Sequence, residues 1–165
     1  MRLTVTALLV CAFALPGATS VVAHADPAPL PVLTLTTIPE GWSLRTDLRP
    51  VLKVYSDGSA LRSPDATSKD RKPDTAPKEE KGTVAADVIA AATDEIVALK
   101  DVDMGIPVGD GKGTQIVDLM PSDAAGEVHL IVYSPNSTDG LNPDQTAARK
   151  RFTEVYRKLV EAFTA

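Results

Sequence analysis

The chain has 165 residues, of which 44% are apolar and 4% aromatic, with 17 basic and 22 acidic side chains. These values are typical of one modest globular domain and exclude a multidomain enzyme or a wholly disordered chain. A single cysteine excludes a disulfide scaffold, and the formal net charge of −5 argues against a nucleic-acid partner.

The N-terminus has the pattern of a secretory signal peptide over residues 1–25. Arg2 precedes an apolar run at residues 3–15, and small residues at Ala23 and Ala25 suit a signal peptidase. The run is shorter than the roughly 18 apolar residues that a membrane anchor needs. We therefore expect cleavage before Asp26, no integral membrane segment afterwards, and a secreted or extracytoplasmic location in the cell envelope.

Removal of residues 1–25 takes away several reactive side chains. Cys11, the one cysteine, leaves with the signal, and so does His24, one of the two histidines. The processed chain would then have no disulfide, no thiolate nucleophile and no zinc-thiolate site, and His129 would be its only imidazole. The sequence therefore predicts neither a metal site nor a cofactor.

The first part of the processed chain is predicted to be extended. Residues 26–31 are rich in proline and read as a short tether. Strands are expected at residues 32–38, 51–55 and 60–63, the last two joined by an Asp57-Gly58 turn.

Residues 64–82 differ sharply from the rest, since their only apolar side chains are Ala66 and Ala76. Such a segment buries too little surface to offset its ordering entropy. We expect a mobile polar loop within a single domain spanning residues 32–165. Residues 78–84 are a candidate for a strand that re-enters the sheet.

Two helices and two further strands complete the pattern. Apolar residues at helical spacing predict a helix from residue 84 to 99 with Thr83 as its N-cap, and a final helix capped by Asn142. Strands are expected at residues 114–120 and 128–134. This order predicts an α+β fold, with a mostly antiparallel sheet of about five strands and both helices on one face.

Strand alternation divides the last two strands into two faces. If Val117 and Leu119 share the buried face with alternate residues of the next strand, the other face remains without a helix. That uncovered face would carry an unusual number of apolar side chains for a monomer, namely Ile116, Met120, Ile131 and Tyr133.

The same hairpin register places Asp118 opposite His129. Asp118 could orient His129 as a general base toward a hydroxyl such as Ser134 or Ser56. A partly exposed charge-assisted hydrogen bond explains the pair equally, and the chain has no Gly-x-Ser-x-Gly nucleophile elbow. Asp118 and His129 are therefore weak catalytic candidates.

Other charged segments are less specific. The Asp-rich stretch beginning at Asp101 has Gly105 and Lys112 where a calcium-binding EF-hand needs ligands. The last helix concentrates basic residues that form either a binding patch or a solvated face, namely Arg149, Lys150, Arg151, Arg157 and Lys158.

Several local features together resemble small exported proteins of actinobacteria, mycobacteria especially, of uncharacterised activity. They are the Ala-His-Ala-Asp-Pro junction at residues 23–27, the Leu-Lys-Val-Tyr-Ser-Asp-Gly hairpin at 52–58, the helix from Val84, the later strand pair and the basic final helix. The likeness covers nearly the whole processed chain. It implies a cell-envelope or secreted setting and carries over no catalytic or ligand-binding residues.

Two classes of function follow. The first is a non-enzymatic module that binds an envelope protein through the uncovered sheet face. The alternative is a small-molecule binder or hydrolase-type enzyme, with a pocket under the loop at residues 64–82.

Overall fold

The structure is a computed structural model that describes residues 29–109 and 112–165. The predicted signal peptide at residues 1–25 and the start of the tether at 26–28 lie outside the described residues. Asp110 and Gly111, in the Asp-rich connection, do so too.

Six antiparallel strands form one sheet in the order β4-β3-β2-β1-β5-β6. The prediction of an α+β fold with an antiparallel sheet is confirmed. The sheet has six strands rather than about five, because residues 80–83 do re-enter it. The strands are β1 (Pro31–Ile38), β2 (Leu52–Tyr55), β3 (Ser59–Arg62), β4 (Glu80–Thr83), β5 (Thr114–Leu119) and β6 (Val128–Tyr133).

The two helices, α1 (Ala86–Leu99) and α2 (Pro143–Glu161), pack on one face of the sheet. Asn142 caps α2 as predicted, and its side chain and that of Gln145 form a reciprocal capping box. The prediction of Thr83 as the cap of α1 is wrong. Thr83 belongs to β4, and α1 begins after Ala85 without a side-chain cap.

The core fills the space between the helices and the sheet. The inward residues of the strands alternate as predicted, so Val117 and Leu119 lie on the same buried face as the inward residues of β6. The largest fully buried side chain is Phe152 of α2. Tyr156 lies on the same helix, and its hydroxyl forms a hydrogen bond of 2.8 Å with the Thr37 hydroxyl of β1.

Residues 64–82 have a buried anchor that their composition did not predict. Arg71 donates to Asp47 Oδ2 at 2.8 Å, to the Thr75 carbonyl at 2.8 Å and to the Ala66 carbonyl at 3.2 Å. The prediction of a solvated loop is wrong at Arg71. Its guanidinium is buried and bonds to the Asp47 carboxylate and to backbone carbonyls instead of to water. Residues 80–82 belong to β4 rather than to a loop. Mobility of the other residues of the segment stays a prediction.

No helix in residues 29–109 and 112–165 is both long and apolar enough to cross a membrane.

Candidate functional site

The outer face of the sheet, opposite the helices, carries the predicted binding residues. Ile131 and Tyr133 of β6 are 38% and 47% exposed, whereas Ile116 and Met120 are half-buried. Ile116 pairs directly with Ile131 across β5 and β6, and Thr114 pairs with Tyr133. The structure therefore brings Ile116, Ile131 and Tyr133 together near one end of the strand pair.

Met120 lies at the other end of β5, beyond the position where Asp118 pairs with His129. The polar pair thus separates Met120 from the other three apolar residues along the strands. The compact apolar part of the outer face is consequently smaller than the four predicted residues suggest.

Asp118 and His129 are in contact, in the register that the sequence predicted. The Asp118 carboxylate oxygen Oδ1 lies within hydrogen-bond distance of His129 Nδ1, and Oδ2 accepts a hydrogen bond of 3.1 Å from the Thr34 hydroxyl. Side chains from three adjacent strands, β1, β5 and β6, therefore form one polar chain across the face. The Thr34 contact fixes the carboxylate orientation and was not predicted.

The suggested hydroxyl nucleophiles do not join this pair. Ser134 is buried, and its hydroxyl accepts a hydrogen bond of 3.0 Å from the Lys112 backbone N–H. Ser56 lies in the turn between β2 and β3, at the opposite side of the sheet order from β6. Within the described residues, no hydrogen bond connects His129 to either serine. His129 is thus an exposed histidine whose ring is oriented by the Asp118 carboxylate.

An open cleft of about 300 Å³ runs beside β6 and extends the site. One wall is formed by His129, Ile131 and Tyr133, and the other by residues 100–106. Val102 and Ile106 expose apolar side chains on this second wall, Ile106 by 74%. The sequence analysis did not identify either residue. The available signal was the presence of isolated apolar side chains in a connection that is otherwise rich in Gly and Asp.

Arg149 holds the two walls of this cleft together. It is only 2% exposed, and its Nη2 donates to the carbonyls of Tyr133 at 2.5 Å and Ser134 at 2.7 Å. Its Nη1 donates to the carbonyls of Met104 at 3.3 Å and Gly105 at 3.4 Å. The predicted basic patch on the last helix therefore loses Arg149. The spacing of three residues from Phe152, which puts both on one helix face, was the signal for its burial.

Burial lowers the pKa of Arg149, because the guanidinium loses its hydration. The cation remains stabilised by four carbonyl oxygens rather than by a carboxylate. Arg149 is thus a positioning residue for the wall at residues 100–106.

A larger groove of about 830 Å³ lies between α1 and α2. Val88, Ala92 and Val155 are among its apolar lining residues, and Arg151 bridges the two helices through a 2.6 Å hydrogen bond to Glu95. Charged residues of α2 surround it, including Lys150 and Lys158. Arg157 pairs instead with Glu154 and Glu161 along α2.

Neither of these two cavities is lined by residues 64–82, where the alternative function requires its pocket. In the part of the chain that the structure describes, no three His, Cys, Asp or Glu side chains are grouped so that they could hold a metal ion.

When the chain is compared with known proteins, no family model, no curated protein and no solved structure matches it significantly.

Proposed function

We propose that this protein is an exported, non-enzymatic binding module of the cell envelope, similar to the small exported proteins of actinobacteria, and that it binds a protein partner through the outer face at β5 and β6. Export is supported by the signal-type pattern of residues 1–25. Binding is supported above all by the exposure of Ile131 and Tyr133. They lie on a strand whose inward side chains are all buried in the core.

The chemistry of the face fits a protein partner. An aliphatic and an aromatic side chain lie next to each other, and aromatic residues at the centre of an interface contribute much of its binding energy. The Asp118–His129 pair lies along the same strands and offers a polar border with a fixed orientation. Apolar anchors beside a polar border are the arrangement found in protein interfaces.

Site-specific photo-cross-linking tests the binding surface. A photoreactive phenylalanine analogue replaces Tyr133 in the producing organism, and the same analogue at Leu44, an apolar loop residue that is 94% exposed, is the matched control. We expect a discrete cross-linked protein from position 133 only, with its yield reduced about tenfold or more by Ile131→Asp, since a central apolar contact is replaced by a buried charge.

Cross-linking that is equal at positions 133 and 44, or unaffected by Ile131→Asp in a variant with wild-type circular dichroism, would contradict the proposed surface. Mass spectrometry of the purified protein tests export separately. An N-terminus at Asp26 is expected, and a protein that retains Met1 in the envelope or medium would count against processing.

A further inference from the structure

The two edges of the sheet are built differently. At the β4 edge, Glu80 and Lys81 carry opposite charges, and Thr83 exchanges backbone hydrogen bonds of 2.8 and 2.9 Å with Thr164 near the C-terminus. Charged side chains and a covering segment are two ways in which natural proteins prevent an edge strand from pairing with another chain. The β4 edge is therefore protected.

Strand β6 lacks the charged side chains that protect the β4 edge, and the segment at residues 100–106 leaves an open cleft beside it. The strand reads Val-His-Leu-Ile-Val-Tyr, without lysine or proline, and its register with β5 runs unbroken over all six residues. A regular, mainly apolar edge strand is the type that accepts another strand. Because the β4 edge is closed by Thr164, β6 is the edge of the sheet that is available for pairing.

The hydrogen-bond pattern identifies which backbone groups point outward. The Ser134 N–H donates to the Gly113 carbonyl at 2.8 Å, so Ser134 faces β5. Since hydrogen-bonded and outward-facing residues alternate in an antiparallel strand, His129, Ile131 and Tyr133 direct their backbone N–H and C=O groups away from β5.

Only the end of this edge has a partner. Arg149 Nη2 donates to the Tyr133 carbonyl, which confirms that this carbonyl points outward. Among the hydrogen bonds of residues 29–109 and 112–165, none reaches the outward backbone groups of His129 or Ile131. These groups form a short template for an extended strand.

The side chains around the template are apolar. Ile131 and Tyr133 are exposed on the outer face, and Val102 and Ile106 are exposed on the other wall of the cleft beside β6. A strand that pairs with β6 would therefore cover apolar surface on both sides of the sheet edge. Backbone pairing and apolar burial would act together at the same place.

We propose that β6 pairs antiparallel with β6 of a second copy of this chain, which joins two six-stranded sheets into one continuous sheet. With the twofold axis at Ile131, this residue lies opposite the partner's Ile131, and His129 lies opposite the partner's Tyr133. An interface of this symmetry must be self-complementary, and an uncharged aliphatic residue at the axis meets its own copy without repulsion.

Charge on the wall at residues 100–106 agrees with a second copy as the occupant. Lys100 and Asp103 both belong to this wall and have opposite signs, so two related copies can present unlike charges to each other. The pairing rests on the backbone edge of β6 and is independent of the proposed function. It would nevertheless bring the outer faces of two copies side by side.

Light scattering across a concentration series of the exported protein tests the pairing. The matched variants are Ile131→Lys, which places a charge at the axis, and Leu44→Lys, which makes the same change at an exposed residue of a loop. We expect the mass of wild type and of Leu44→Lys to double with concentration. Ile131→Lys should associate on the order of 100-fold more weakly, because two aliphatic side chains leave the interface and two like charges meet.

Amide hydrogen exchange supplies a second measurement that requires no substitution. The outward amides of His129 and Ile131 should be exchange-competent in dilute protein and protected in concentrated protein. A wild-type mass that stays monomeric at the highest concentration would overturn the pairing, and so would a dimer that leaves these amides unprotected and survives Ile131→Lys. The cross-linking experiment at position 133 detects a different protein by its mass, so either proposal can fail without the other.

Discussion

Single residues with long-range partners determine how the loops are held. Asp47 accepts hydrogen bonds from Arg45 Nε at 2.8 Å and from Arg71 Nη1 at 2.8 Å. The Arg45 guanidinium also lies 3.8 Å above the ring of Trp42. These contacts join residues 42–47 to the middle of the polar segment at residues 64–82, and they place the only tryptophan beside the ion pairs.

The two arginines give Asp47 a pH-dependent role. Hydrogen bonds from Arg45 and Arg71, against an opposing effect of desolvation, hold the pKa of the Asp47 carboxyl well below its ordinary value of 3.8. A carboxyl group whose folded pKa is depressed stabilises the fold at pH values above 3.8. That stabilisation is lost progressively as the pH falls from there toward the folded pKa.

The first prediction concerns Asp47→Asn. We expect a melting temperature several degrees lower at pH 7, since the arginines lose a buried negative partner, and a smaller difference from wild type below pH 3.8, where only the wild type loses charge stabilisation. Thermal unfolding followed by Trp42 fluorescence at both pH values measures this. Asp70→Asn, an exposed residue of the same segment, is the control and should change neither value. A difference that does not depend on pH would show that the carboxylate charge is not responsible.

At the level of elements, β4 shows how a short, polar strand is retained at a sheet edge. It pairs with β3 on one side, where Arg62 donates to Glu80 Oε2 at 2.6 and 2.9 Å. On the other side Thr83 and Thr164 form an isolated bridge. Gly82 permits this approach, because a Cβ atom there would lie 2.1 Å from the Thr164 carbonyl oxygen.

The second prediction is that Gly82→Ala releases the C-terminal residues from β4. The nearest obstructing atom, the Thr164 carbonyl oxygen, belongs to the backbone, so it cannot move aside as a flexible side chain could. We expect a loss of about 1–3 kcal/mol in the free energy of unfolding, as in other overpacked sites, together with faster amide exchange at Thr83 and Thr164. Urea unfolding and hydrogen exchange measure the two effects. Lys81→Ala, at the adjacent exposed position, should preserve the protection, and retained protection in Gly82→Ala would refute the steric explanation.

At the scale of the whole molecule, one core joins the sheet to both helices. Phe152 is fully buried, and its ring centroid lies 6.1 Å from that of Tyr156. Burial also raises the pKa of the Tyr156 hydroxyl, although its hydrogen bond with Thr37 opposes this. The same buried cluster includes residues of β1, β2, β5, β6 and α1. The side chains of α2 therefore share one core with both the sheet and α1.

The third prediction is that Phe152→Ala destabilises every element together. Removal of a fully buried phenylalanine costs about 3–5 kcal/mol through lost apolar burial and the cavity that remains. Far-ultraviolet circular dichroism and Trp42 fluorescence should report one coincident, shifted urea transition. Leu44→Ala, at a residue 94% exposed, should stay within about 0.5 kcal/mol of wild type. Transitions that separate between the two probes would show that the loops around Trp42 unfold independently of the core.

The sequence by itself determined the features that repeat over short distances. Period-two alternation predicted the strands, their buried face and the contact of Asp118 with His129, while helical spacing and the Asn142 cap predicted α2. These patterns are local, because neighbours along a strand or helix decide which side chains share a face.

Only the tertiary structure decided which polar residues are buried and which strand edge is open. Arg71 and Arg149 read as surface cations in the sequence, yet Arg71 pairs with Asp47, 24 residues away, and Arg149 donates to the carbonyl of Met104, 45 residues away. Likewise, β4 and β6 become edges only through the order of six strands, and β4 is closed by Thr164 from the far end of the chain. The environment of these residues depends on groups that are remote in the chain. Local spacing places Arg149 on the buried face of α2, but it does not specify the carbonyl groups that Arg149 meets there.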